Sequence, residues 1–239
     1  MTALRAAIRL ALLTGLVLAS LPVGFASRTP AQRARWMQRL SGRILRVLGA
    51  KVEIRGAIPI EGLIVSNHLG YLDVFALGSV VPAIFVAKSD VSGWPVIGLL
   101  CRLAGTIFVE RGRRTSVSTS LPQIRRILDA GLPVVVFPEG TSSDGSSVLP
   151  FKTSLLEAGI GHRSTPAAIT YELPGGSVSD ELCYWRDMTF APHFWNVLGL
   201  RSFTIRLQFG EPSPPAADRK TTANQLRREV LSLLDNAST

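Results

Sequence analysis

The residues of this chain best suited to moving a proton lie in a few short clusters. "LIVSNHLGYLDVFAL", Leu63 to Leu77, sets His68 and Asp73 five positions apart just past a short apolar run. A neutral imidazole accepts a proton from a hydroxyl, and a carboxylate on its other nitrogen fixes the tautomer and stabilises the imidazolium. In this arrangement a substrate hydroxyl stands where a serine protease has its serine. The pair alone leaves a second reading open, in which Asp73 only caps the next helix. A second cluster, "FPEGTSSDG" from Phe137 to Gly145, closes an apolar run with an acid, a glycine and hydroxyl residues. Backbone N–H groups in such a turn can hold a phosphate or a developing oxyanion, and Glu139 can bond substrate hydroxyls. A solvated loop has the same composition. A third cluster, "VERGRR", carries Arg111, Arg113 and Arg114, which either clamp phosphate with two prongs or face solvent as a basic turn.

Other chemistries find no footing. No G-x-S-x-G elbow, Walker A loop or G-x-G-x-x-G follows any expected strand, and H-E-x-x-H is absent. His162 and His193 stand alone and are read as structural, so no metal site is expected. Cys101 and Cys183 match no zinc spacing or CxxC motif, which favours a reduced compartment. The aromatic group Tyr184, Trp185, Phe190, Phe194 and Trp195 reads as core packing, with an acyl groove or a membrane contact as the alternative.

These clusters need elements to hold them. Beyond residue 50 the chain alternates β-rich apolar runs with helical ones, the pattern of an α/β fold with a mostly parallel central sheet flanked by helices. Strands are expected at "KVEIRG", "LIVS", "IFVAK", "TIFVE", "PVVVFP", "PAAITY" and "FTIRLQFG". Helices are expected around Leu72 to Ser79, Trp94 to Leu103, Leu121 to Ala130, Thr153 to Ile160 and Thr222 to Leu234. In parallel sheets sites gather at the carboxyl ends of strands, where "SNH", "ERGRR", "PEGTSS" and "YELPGG" all fall.

The 239 residues divide into N-terminal membrane-anchoring helices at 1–48 and one α/β domain at 49–239. The uncharged run from Leu10 to Ser27 is at the lower edge of what spans a hydrocarbon core, and Pro22 and Gly24 weaken its end as a helix. A cleaved signal peptide is the competing reading, from Arg5, Arg9 and the "GFA" ending at Ala26. Against it, Arg28, Arg33, Arg35, Arg39, Arg43 and Arg46 favour retention on the cytoplasmic side. With both flanks basic, a helix lying in one leaflet fits as well as one that crosses. "RARWMQRLSGRILRVLG" puts Trp36, Leu40, Ile44, Val47 and Leu48 at helical spacing between arginines, to rest on anionic headgroups or on the core. A net charge of +9 suits anionic partners. No nucleic-acid-binding motif accompanies it, so nucleic acid is not expected among them.

Taken together, the clusters resemble a known family. "NHLGYLD" is similar to the N-H-x4-D motif of the glycerolipid acyltransferases, the lysophosphatidic acid acyltransferase superfamily. "GTIFVER" (Gly105 to Arg111), "VFPEGTS" (Val136 to Ser142) and "TPAAITY" (Thr165 to Tyr171) resemble its second, third and fourth blocks, in order. The resemblance implies that His68 deprotonates the acceptor hydroxyl, which attacks an acyl thioester, and that Asp73 orients His68. It implies acceptor binding by Arg111, Glu139, Gly140 and Thr141, with Arg111 toward phosphate, and an acyl-side role for the block marked by Pro166. Lys152 in "LPFKTS" is a further candidate anion contact. Partners so implied are a lysolipid acceptor, acyl-CoA or acyl carrier protein as donor, and membrane lipids, on the cytoplasmic face of the inner membrane. No metal or bound cofactor is needed, since a thioester brings its own leaving group. The acceptor expected most simply is lysophosphatidic acid. Phosphatidic-acid-forming members commonly have arginine where this chain has Ser142, and "GTSSDG" is similar to members that acylate lyso-ornithine lipid. A noncatalytic lipid-binding membrane protein is the reading from another class.

Overall fold

The computed structural model describes residues 2–110, 114–214 and 218–237, with side chains for all of these but 114–119 and 237. Among the described residues one sheet contains β1 (Ala50–Arg55), β2 (Leu63–Ser66), β3 (Ile84–Lys88), β4 (Ile107–Val109), β5 (Val134–Val136), β6 (Ser164–Glu172) and β7 (Phe203–Phe209). Their order is β1, β7, β6, β2, β5, β3, β4. Strands β6, β2, β5, β3 and β4 run parallel, whereas β7 pairs antiparallel with β6 and carries β1 parallel beside it. Strands β2 and β5 are buried along their whole length, as continuous apolar runs in a covered parallel sheet should be. Strand β7 alternates, with Phe203, Ile205, Leu207 and Phe209 inward.

The helices are α1 (Thr2–Ala26), α2 (Pro30–Leu48), α3 (Tyr71–Val80), α4 (Ile97–Leu103), α5 (Arg114–Asp129), α6 (Thr153–Leu156), α7 (Val178–Glu181), α8 (Phe190–Gly199) and α9 (Arg219–Ala237). Alternate residues of β2 feed two cores. Ile64 joins residues of α1, α2, α3 and α8, while Leu63 and Val65 join Ile124 of α5, Leu155 of α6 and Leu226 of α9. The sequence pattern misses α7 and α8. In α8 the aromatics are modest helix formers and Pro192 is tolerable only in a first turn, so packing on α1 carries the helix.

Helix α2 starts with a capping box, Thr29 with Gln32, and Pro30 in its first turn, and ends at Gly49 with φ 75°. Its buried face holds Trp36, Leu40, Ile44 and Leu48, and its outer face shows Arg35, Arg39, Arg43 and Arg46. Helix α1 is long and apolar enough to cross a membrane, with a mean hydropathy of 1.9. It runs through Pro22 to Ala26, contrary to the expected weakening. The end is clamped from outside: Trp36 Nε1 donates to Ser20 O at 3.0 Å, and its ring lies 2.9 Å from where a Cβ on Gly24 would sit. At the other end Arg5 donates to Gly199 O at 2.8 Å, and Arg9 to Leu198 O at 3.2 Å and Leu200 O at 2.5 Å. These guanidiniums cap the carbonyl end of α8, where positive charge is favoured. Between them Ala6, Leu13, Ser20 and Gly24 form a buried stripe, while Leu4, Ile8, Leu12, Leu18 and Phe25 stay exposed.

Candidate active site

The chain leaves β2 at Ser66 and enters α3 at Tyr71 through four residues, all of them fastened. The Asn67 side chain bonds both the N–H and the C=O of Ile169 in β6, at 2.8 and 2.9 Å, and so closes the top of the β2/β6 pair. Asp73 sits in the first turn of α3 and reaches back, its Oδ2 accepting from Leu69 N at 2.6 Å and Gly70 N at 2.9 Å. The same oxygen is 2.8 Å from His68 Nδ1. Because Oδ2 already faces two N–H donors, Nδ1 is the protonated nitrogen and Nε2 keeps its lone pair. Asp73 Oδ2 thus bonds the backbone at the start of α3 and the imidazole together. Asp73 is fully buried, while the His68 side chain keeps 21% exposure. Phe137, at the end of β5, stacks on the imidazole at 4.2 Å and 17°.

Asp73 Oδ1 is satisfied by a residue the motif reading left without a role. Tyr171, near the carboxyl end of β6, donates its hydroxyl to Oδ1. Burial, reinforced by the adjacent carboxylate, raises its phenol well above the ordinary range, so the hydroxyl stays a donor. The signal available in the sequence was only position, since Tyr171 ends the strand next to the one preceding His68.

The loop after β5 packs against the same turn. Glu139 is buried, its Oε1 accepting from His68 N and its Oε2 from Leu149 N, both at 2.8 Å. Burial raises its carboxyl, and the two backbone bonds partly offset that. As drawn, Glu139 fixes the backbone of His68 rather than reaching toward a substrate hydroxyl. Ser143 N returns the tie by donating to His68 O at 2.9 Å. Gly140 has φ 77°, and a Cβ there would lie 2.6 Å from Lys152 Nζ. Only glycine allows the ammonium to cross this turn. Helix α9 braces the loop, Arg227 donating to Leu149 O at 3.1 Å and Val148 O at 2.5 Å.

A family model described as Acyltransferase matches residues 51–168, a span that includes His68, Asp73, Glu139 and Lys152. A lyso-ornithine lipid O-acyltransferase of Brucella abortus is 35% identical over 90% of this chain and 84% of its own. The chain belongs to the glycerolipid acyltransferase superfamily. A 1-acyl-sn-glycerol-3-phosphate acyltransferase of Neisseria meningitidis is 30% identical, over 75% of this chain and 72% of its own. The crystal structure of a 1-acyl-sn-glycerophosphate acyltransferase from Thermotoga maritima shares the fold, with TM-score 0.64 at 22% identity over 95% and 97% of the two chains.

In this acyltransferase the loops bring His68, Asp73, Glu139, Gly140 and Lys152 together. Thr141 follows Gly140 and is exposed, as is Lys152. Arg111 and Arg113 lie outside the described residues, as does the side chain of Arg114. Pro166 is buried in β6, in register with Val65 of β2. Among the described residues no group of three or more His, Cys, Asp or Glu is arranged to hold a metal ion. His193 is buried, accepting from or donating to Tyr71 Oη at 3.0 Å through Nδ1, with Nε2 3.0 Å from Cys183 O. A carbonyl only accepts, so Nε2 carries the proton and Nδ1 accepts from Tyr71. Around it Tyr71, Tyr184, Phe190 and Phe194 form an aromatic cluster beside α3.

Proposed function

We propose that the protein is an O-acyltransferase moving a fatty acyl chain from a thioester, acyl-CoA or acyl carrier protein, to the free hydroxyl of a lysolipid. The observation that carries this reading is the His68 imidazole, pinned through Nδ1 with Nε2 left to accept a proton. The acceptor hydroxyl gives its proton to Nε2 as its oxygen bonds to the thioester carbonyl carbon. The C–S bond then breaks, and the leaving sulfur takes up the proton. Asp73 stabilises the imidazolium between these steps. His68→Ala should lower kcat by about 10²- to 10⁴-fold, the usual contribution of a positioned base, while the thermal transition of the protein is retained. Free-thiol release from palmitoyl-CoA, followed with and without lysolipid, is the assay. Near-normal turnover by the pure variant would refute the base assignment.

The acceptor we favour is lyso-ornithine lipid. Relatives from Brucella abortus, Rhizobium meliloti and Rhodobacter capsulatus, at 35 to 39% identity, bear that activity in their names. Ser142, in the place of a commonly cationic residue, spends its hydroxyl on Tyr184 O. Lysophosphatidic acid is the second reading, supported by the Lys152 ammonium over Gly140, which has no carboxylate partner among the described residues. Supplying each lysolipid with one donor separates them.

The exposed apolar side of α1 next to the arginine ridge of α2 supports association with the cytoplasmic face of an anionic membrane. With both ends of α1 bonded to the rest of the protein, we read it as lying in one leaflet.

A further inference from the structure

The segment from Cys183 to Arg186 lies beyond the span matched by the family model, yet three bonds fasten it to the catalytic loops. Tyr184 N donates to Leu69 O at 2.8 Å, Ser142 Oγ donates to Tyr184 O, and Cys183 Sγ lies 3.4 Å from Asp144 O. The approach depends on Gly70, where a Cβ would stand 2.9 Å from Tyr184 N. The chain then turns at Arg186, which holds φ 52°, a left-handed conformation uncommon and costly for a residue with a side chain. The Cζ of the exposed Arg186 guanidinium lies over the Trp185 ring, 3.9 Å from its centroid, and that ring is itself anchored by Nε1 to Ser179 O at 3.0 Å. Seated over the ring by a cation–π contact, the guanidinium spends no N–H donor in an ion pair among the described residues.

Asp144 stands on the opposing loop. Ser146 holds its Oδ1 by N–H at 3.0 Å and by hydroxyl at 2.8 Å. Those bonds keep the carboxyl below its ordinary range, and the positive field of Arg186 adds to them. Neither side chain is in any ion pair among the described residues. A fixed cation and a fixed anion, apart from each other on loops bonded to the His68 turn, match a ligand that carries both charges.

We propose that Arg186 and Asp144 form a headgroup clamp for an amino-acid-headed lysolipid, Arg186 taking its carboxylate and Asp144 its ammonium. The clamp rests on the transfer reading given above and deepens it. A phosphate headgroup would be drawn to Arg186 but repelled by Asp144, so the two acceptors respond differently to the same substitutions.

The test measures KM and kcat for lyso-ornithine lipid and for lysophosphatidic acid with the full-length protein, using one acyl donor. Arg186→Gln should raise KM about tenfold for both acceptors, the scale of one charge-assisted bond, with kcat little changed. Arg186→Lys, which keeps the charge but loses the planar stack, should fall between. Asp144→Asn should raise KM about fivefold for lyso-ornithine lipid and lower it for lysophosphatidic acid, the scale of one charge contact. Unchanged KM in Arg186→Gln, or equal losses for both acceptors in Asp144→Asn, would overturn the clamp. A wild-type protein inert toward both lysolipids would instead refute the transfer reading, and the clamp with it.

Discussion

At the scale of single residues, the His68–Asp73 pair is better described as a buried carboxylate with four donors, only one of which is the imidazole proposed as the base. Two are backbone N–H groups and the fourth is Tyr171. Among the described residues Tyr171 alone serves Oδ1, so Tyr171→Phe strands a fully buried carboxylate oxygen, at about 1–3 kcal/mol. The expected outcome is a kcat about tenfold lower with KM unchanged, because the substituted group holds Asp73 and touches no substrate. A loss confined to KM would show that Tyr171 acts on substrate binding instead. The sequence made His68 and Asp73 legible because their spacing is local and falls where a strand gives way to a helix. Tyr171 was not legible, since its partner lies 98 positions away and nothing local marks a tyrosine as a donor to an acid. Glu139 was legible as part of the site but not in its use. A carboxylate that satisfies two backbone N–H groups and one that meets solvent are spelled alike in "PEGTS".

At the scale of elements, the arginines of α1 are the surprise. From sequence Arg5 and Arg9 read as the basic start of a signal or anchor. In the folded chain they close the carbonyl end of α8, a helix that sequence patterning missed for want of good helix formers. Burial lowers the Arg9 guanidinium, with the neighbouring Arg5 adding to the effect. Arg9→Ala removes three bonds to carbonyl groups at and just past the end of α8 and should cost about 1–3 kcal/mol, read as a drop in Tm. Arg9→Lys should recover part of it; a Tm indifferent to both would mean the caps are replaced by water. The seven strands, in contrast, were all legible: β2 and β5 as unbroken apolar runs between turns, and β7 by its apolar/polar alternation. The reversal of β7 against β6 was not, since strand composition is silent about direction.

At the scale of the whole molecule, the two cores are sealed on both faces of the sheet, and proton linkage reaches one of them through His193. Burial lowers its imidazole below the ordinary 6.5, the carbonyl of Cys183 opposing only in part, and its other neighbours, Tyr71 and Tyr184, stay neutral. In the unfolded chain this histidine takes up a proton near pH 6.5, while the folded chain resists until lower pH. Stability is therefore full above 6.5 and falls as the pH drops below it. Urea midpoints at pH 7.5 and 5.5 should diverge more for wild type than for His193→Gln; equal divergence would remove His193 from the linkage.

Helix α1 is riveted near both ends, by Arg5 and Arg9 to α8 and through Ser20 to Trp36. On the proposed seating of α1 in one leaflet, whatever depth its greasy side took would be passed rigidly to the sheet, so the rivets would set the altitude of the His68 imidazole above the acyl tails. One residue added between Arg9 and Ser20 would shift the upper rivets by about 1.5 Å and swing them about 100° around the helix, detaching the gauge from the blade it positions.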